Sequence, residues 1–157
     1  MKNEQDRTIL IERIRQLPDE IEALVNGLTP AQLTAHFLAG EWSVAQNIHH
    51  LADSHMNSYV RCKLIATEDN PTFRPYDQES WAELPDAKTA ELSVSMALLR
   101  SLHLRWVLFW ESLSEAEWQR TGIHPDDSMV TLAQQLQLYA EHGEAHIDQI
   151  TRTLAAQ

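Results

Sequence analysis

Only one cysteine, Cys62, occurs among the 157 residues, so no disulfide can form within the chain and stability has to come from packing. Glycine and proline are scarce as well, at four and six residues, which excludes low-complexity and collagen-like compositions. No apolar run approaches the ~18 residues of a membrane span, and the opening "MKNEQDRTIL" is too polar for a secretory leader. These absences predict a cytoplasmic protein. Basic residues are few, 12 Lys and Arg against 23 Asp and Glu, for a formal net charge of -11. They are scattered singly, so neither a nucleic acid nor a membrane surface is expected as a partner.

What is present is ordinary globular material, 43% hydrophobic and 22% charged, in a length that fits one domain spanning residues 1–157. Apolar positions recur at helical spacing and no stretch alternates as a strand would. A first helix is predicted from Gln5 to Leu28, with Pro18 kinking or restarting it. Thr29 and Pro30 open a short segment as N-cap and first helical residue. A long second helix, capped by Ser43, covers most of "EWSVAQNIHHLADSHMNSYVRCKLIATE". A crossover loop from Asp69 to Lys88 follows, with one helical turn near Gln78 to Leu84, and its Phe73, Tyr76 and Trp81 argue against disorder.

A third helix is expected from about Ala90 to Leu113, then a capping box at Ser114 and Glu117, a polar loop "TGIHPDDSMV", and a fourth helix from Leu132 to Leu154. The class is therefore all-α, a four-helix bundle with a long crossover loop between helices two and three. A faint repeat pairs "LTPAQLT" with "LSEAEWQ" and "SVAQNI" with "TLAQQL". It predicts two helical hairpins related by a rough two-fold.

In "YAEHGEAHIDQI" His142 and His146 stand four apart, on one face of helix four at the edge of its apolar stripe. That geometry suits a divalent metal, and it also suits the polar flank of an amphipathic helix. Helix two offers His49, His50 and His55. His55 falls within the apolar stripe, where a hydrogen-bonded core histidine is expected. His50 belongs to a row of Asn47, His50, Ser54, Asn57 and Arg61. Such a row reads as the polar wall of a cleft rather than as a solvated Glu/Lys face.

The segments "EWSVAQNIHHLADSHMNSYVRCKLIATEDNPTFRPYDQESWAELPD", "LHLRW", "HPDD" and "YAEHGEAHIDQI" resemble, in order and over about residues 20 to 155, the YfiT-like branch of the DinB superfamily. The resemblance implies a four-helix bundle holding zinc or nickel on three histidines. Mapped onto this chain these are His50, eight residues after Trp42, with His142 and His146. Three imidazoles leave a metal position open for water or substrate. The implied activities are thiol S-transfer, in which a bacillithiol-like low-molecular-weight thiol attacks an electrophile, and hydrolysis by activated water.

A non-catalytic metal- or ligand-binding bundle is the remaining alternative. Arg61, Arg74, Tyr76 and Trp81 are candidates for binding a small-molecule substrate, with the crossover loop as a lid over the site, and Arg105 is a further cation for a carboxylate. His124 and Asp126 either approach the site or form an Asx-type turn. Glu141, Glu144, Asp148 and Asp53 are the acidic neighbours that could orient the histidines. Cys62 reads as a small buried residue, and bundles of this size often form homodimers.

Overall fold

A computed structural model of the chain describes residues 4–124, 126 and 128–157. Residues 1–3 of the expected domain, and positions 125 and 127 of "HPDD", lie outside the described residues. In chain order the elements are α1 (Glu4–Val25), α2 (Pro30–Thr34), α3 (Val44–Thr67), α4 (Gln78–Ala82), a 3-10 turn (Pro85–Lys88), α5 (Ser93–Glu111), a second 3-10 turn (Glu117–Gln119), β1 (Thr121–Ile123), β2 (Met129–Thr131) and α6 (Leu132–Ala155).

The two helices that carry His50 and His142 begin in the same way. Ser43 and Gln46 form a reciprocal capping box at the start of α3, and Thr131 and Gln134 form one at the start of α6. In each, the N-cap hydroxyl accepts from the N3 amide and the N3 side chain accepts from the N-cap amide. Two orphan backbone donors are satisfied at each start. The likeness of "SVAQNI" to "TLAQQL" is this shared cap.

The repeat does not produce adjacent hairpins. α1 packs against α5 and α6, and α3 packs against the same two helices. α1 and α3 therefore lie diagonally across the bundle, as do α5 and α6. Each diagonal connection carries its own structure, α2 in the first and the β1–β2 hairpin in the second, which gives the chain the length to cross the bundle's end.

Two further expectations are corrected. The polar segment before α6 is an antiparallel hairpin pairing Thr121 with Thr131, Gly122 with Val130 and Ile123 with Met129. Strands of three residues are too short to display an alternation. The crossover loop docks on this hairpin, with Phe73 N–H donating to Ile123 O and Ile123 N–H donating to Pro71 O, both at 2.9 Å.

The second correction concerns Pro18, which does not restart the helix but lies buried within a continuous α1. Proline has no N–H to give the carbonyl four residues back, here that of Ile14. The carbonyl is not orphaned, because His103 Nδ1–H from α5 donates to it at 2.5 Å. A partner from another helix replaces the missing intrahelical one.

Apolar packing fills the two ends of the bundle. Leu10, Ile14, Ile65, Trp106, Trp110, Leu136 and Tyr139 belong to one cluster, and Leu17, Ile21, Ile48, Leu51, Leu99 and Ile150 to the other. Between them, on α3, α5 and α6, lie the buried polar side chains His55, Ser58, His103 and His146. Gly143 sits at this level. A Cβ there would stand 2.8 Å from Leu17 Cδ2, so its absence lets α6 approach α1 beside His142. Among the described residues no helix is long and apolar enough to cross a membrane.

Candidate metal centre

α3 and α6 are bundle neighbours, and the histidines on their facing sides converge. His142 Nε2 lies 3.4 Å from His50 Nε2 and 3.2 Å from His146 Nε2. These three histidines form a group whose ligand atoms all lie within 4.8 Å of one another. Two nitrogens at about 2.05 Å from a tetrahedral metal would stand about 3.3 Å apart. The two spacings at His142 match that figure, and His50 and His146 lie within 4.8 Å of each other.

Hydrogen bonds decide what those nitrogens present. Asn47 Nδ2 donates to the carbonyls of Ser43 at 3.0 Å and Trp42 at 3.5 Å, which can only accept. Its Oδ1 therefore faces His146 Nδ1 at 2.8 Å and accepts a proton from it. His146 Nε2 is left with its lone pair toward His142. Burial lowers the pKa of His50 and His146 to about 4, helped for His50 by the charge on His146, and lowers that of His142 to about 3, helped by His146 and His50. Neutral imidazoles are the form in which a borderline-soft divalent cation is bound.

Trp42 shields this cluster. Its ring lies parallel to His146 with centroids 6.2 Å apart and leans on His50 at 4.7 Å. Its Nε1–H donates to Glu79 Oε2 on α4 at 3.1 Å, fastening the crossover segment to the start of α3. A cavity of 310 Å³ opens here, lined by Glu41, Trp42, Gln78, Glu79 and Gln149 as well as the three histidines. A second, of 260 Å³, lies on the other side of His142 and is lined by Ser54, Arg61, Tyr76, Gln78, His124 and Tyr139 among others. His142 and Gln78 border both.

The sequence-predicted binding residues divide accordingly. Arg61 and Tyr76 line the second cavity. Arg61 donates to the Arg74 carbonyl at 3.2 Å and lies 5.6 Å over the Phe73 ring, so the loop holds it in place. Arg74 contributes that carbonyl, and its exposed side chain lines neither cavity. Trp81 lies 4.6 Å from the Tyr76 ring and supports it without lining either space. Arg105 is exposed on α5, away from both. His124 reaches the second cavity, while Asp126 caps a turn by accepting from Ser128 N at 3.0 Å.

The acidic residues on the histidine helices are engaged elsewhere. Glu144 pairs with Arg13, Asp148 with Arg152, and Glu141 accepts from Gln137. Asp53 lines a separate cavity with His49, Asp86 and Glu91. Partners of the converging imidazoles are an amide, Asn47, and an imidazole, His55, whose Nε2 lies 3.2 Å from His142 Nδ1. The carboxylates that do line the histidine cavity, Glu41 and Glu79, come from the loop before α3 and from α4. Reading periodicity along helices missed them. The tryptophan that precedes α3 was the available signal, since Glu79 bonds to it.

Fold and side chains thus define a helical bundle of diagonal connectivity with three imidazoles meeting in a cavity between two of its helices. The chain belongs to the DinB superfamily, which it matches over residues 13–150. It is 42% identical over 151 residues to a Bacillus subtilis protein named "Putative metal-dependent hydrolase YfiT", covering 96% of this chain and 84% of that one. A Bacillus mycoides relative described in the same words is 45% identical over 141 residues, 90% of this chain and 81% of the relative. The solved structure of YfiT from Bacillus subtilis, an unusual four-helix bundle topology, superposes with a TM-score of 0.94 at 40% identity, over 98% of this chain and 88% of that one. The crystal structure of a mycothiol-dependent maleylpyruvate isomerase shares the fold, with a TM-score of 0.60 at 18% identity over 99% of this chain and 71% of that one.

Proposed function

We propose that this protein is a divalent-metal-dependent enzyme in which His50, His142 and His146 hold zinc or nickel, and that it transfers a low-molecular-weight thiol to an electrophile. The convergence of the three histidines, with the Nε2 atoms of His50 and His146 each at tetrahedral-ligand spacing from that of His142, carries the metal part of this reading. The two cavities that meet at His142 support a two-substrate reaction. A divalent cation in such a site acts as a Lewis acid that lowers the pKa of a thiol or water at its open position.

The remaining roles belong to side chains. Arg61 offers a fixed guanidinium to a carboxylate on the thiol, with the Tyr76 ring beside it. Trp42 covers the histidines and limits water on the opposite side. Gln78, shared by the two spaces, is placed to hydrogen-bond either substrate.

One observation favours hydrolysis as a second reading. Glu41 lines the histidine cavity; its Oε1 accepts from Arg152 at 2.8 Å, and among the described residues its buried Oε2 has no hydrogen-bond partner. A carboxylate on the wall of that cavity is the kind of group that takes a proton from attacking water.

The deciding experiment measures metal per chain by elemental mass spectrometry on protein purified without a histidine tag, followed by consumption of monobromobimane with and without a small thiol. About one zinc or nickel per chain, with thiol-dependent turnover lost in His50→Ala, supports the transferase. Metal-dependent ester cleavage without any thiol supports the hydrolase. No metal after incubation with zinc or nickel and desalting overturns both. In the transferase, Arg61→Ala raises KM for an acidic thiol about tenfold with kcat little changed, since it removes binding that ground and transition states share.

A further inference from the structure

The geometry points to His55 and His103, together with the Ile14 carbonyl that Pro18 leaves free, as a positioning relay that locks His142 in the tautomer whose Nε2 lone pair faces the metal site. This rests on the three-histidine metal site proposed above.

The direction of the relay follows from its first member. A carbonyl oxygen can only accept, so His103 Nδ1 must carry the proton that it gives to Ile14 O at 2.5 Å. His103 is buried and neutral, and its Nε2 is then an acceptor. His55 Nδ1 lies 2.8 Å from it and must donate. His55, with no exposed surface, likewise presents Nε2 as an acceptor. His142 Nδ1 lies 3.2 Å from that atom and carries the next proton. The remaining nitrogen of His142, Nε2, points its lone pair at His50 and His146. Each step allows one arrangement of hydrogens, and the whole is set at the far side of the bundle by a proline in α1.

Packing holds the relay rigid. The His55 and His103 rings are parallel, 7° apart with centroids at 4.9 Å, and Trp106 and Tyr139 meet His55 edge-on at 5.7 and 5.3 Å. Imidazoles that bind metals are generally oriented by an acceptor for their second nitrogen, and loss of that acceptor typically weakens metal binding about 10–100-fold. Asn47 fills this role for His146. For His142 the acceptor is another histidine, itself oriented by a third. Without it, His142 is free to put its proton on Nε2 and block the site.

The test compares His55→Phe with His55→Gln. Phenylalanine keeps the ring in the stack and removes both nitrogens. Glutamine keeps a donor for His103 and an acceptor for His142. Zinc affinity is measured by chelator competition, and the His142 tautomer by long-range nitrogen–proton NMR of the metal-free protein. The relay requires an Nδ1–H tautomer for His142 in the parent, a zinc affinity weakened about 10–100-fold in His55→Phe, and recovery of most of that loss in His55→Gln.

An Nε2–H tautomer in the parent overturns the relay, and this readout needs neither variant to fold. Zinc bound by the parent, lost in His50→Ala and unchanged in His55→Phe overturns the relay while leaving the metal site standing. Failure of the parent to bind either zinc or nickel overturns the site itself, and the role assigned to the relay with it.

Discussion

Acid will destabilise the metal-free protein well above the pH at which its carboxylates titrate. Burial lowers the pKa of His50, His103 and His146 from 6.5 to about 4, with the neighbouring His146 contributing for His50 and the Ile14 and Gln149 bonds opposing for the other two. All three are nearly sealed from solvent, at 4%, 1% and 8% exposure, so bulk water does little to screen the penalty. Because the folded pKa lies below the unfolded one, the unfolded chain binds more protons once the pH falls under 6.5. Stability therefore decreases with falling pH and levels off only near pH 4, where the folded groups also protonate.

Between about pH 7 and pH 5.5 each histidine costs about 1 kcal/mol, or about 3 kcal/mol for the three treated independently. For a domain of this size that is a fall in Tm of about 6–12 °C. Scanning calorimetry of chelator-treated protein at the two pH values provides the check. Zinc should raise the Tm at both pH values without removing the fall, because His50 and His146 are neutral in the native state with or without the metal and the unfolded chain still takes up the protons. A metal-free Tm that changes by less than about 2 °C over the window refutes the reasoning, since the three buried imidazoles together would then take up protons in the native state about as readily as in the unfolded chain.

Gly122→Ala should destabilise the protein by about 1–3 kcal/mol, since overpacked atoms must shift. Its Cβ would stand 2.8 Å from Phe73 Cε1 and 2.9 Å from Ile65 Cγ1. A denaturant midpoint equal to that of the parent would show that the crossover loop is not pressed against the hairpin. Cys62 is fully buried, and burial pushes its thiol up to about 12. It should resist a disulfide reagent in the native state and react once the chain is unfolded, as a spectrophotometric thiol titration would record.

Much of the helical framework is legible along the chain. The periodicity and the Ser43 cap place the start of α3, and periodicity alone places the start of α6 at Leu132. These features depend on residues within one turn of each other. The β1–β2 hairpin was not legible, because its strands of three residues owe their pairing to each other and to the docked crossover loop. Pro18 misled for a related reason. Locally it breaks a helix, and only a histidine 85 positions later supplies the donor that lets α1 continue.

The sequence by itself determined the helical class, the absence of disulfides, the acidic surface and the presentation of His142 and His146 on one face, since all follow from composition or from helical spacing. Tertiary structure alone decided that α3 and α6 are neighbours while α1 and α3 are diagonal, and so which histidine of "NIHHLADSH" meets that pair. It also decided which nitrogen His146 and His142 present. Tautomers are set by the partner of the second nitrogen, and here those partners are Asn47, a full helix away from His146, and a buried series of bonds that ends on the carbonyl of Ile14.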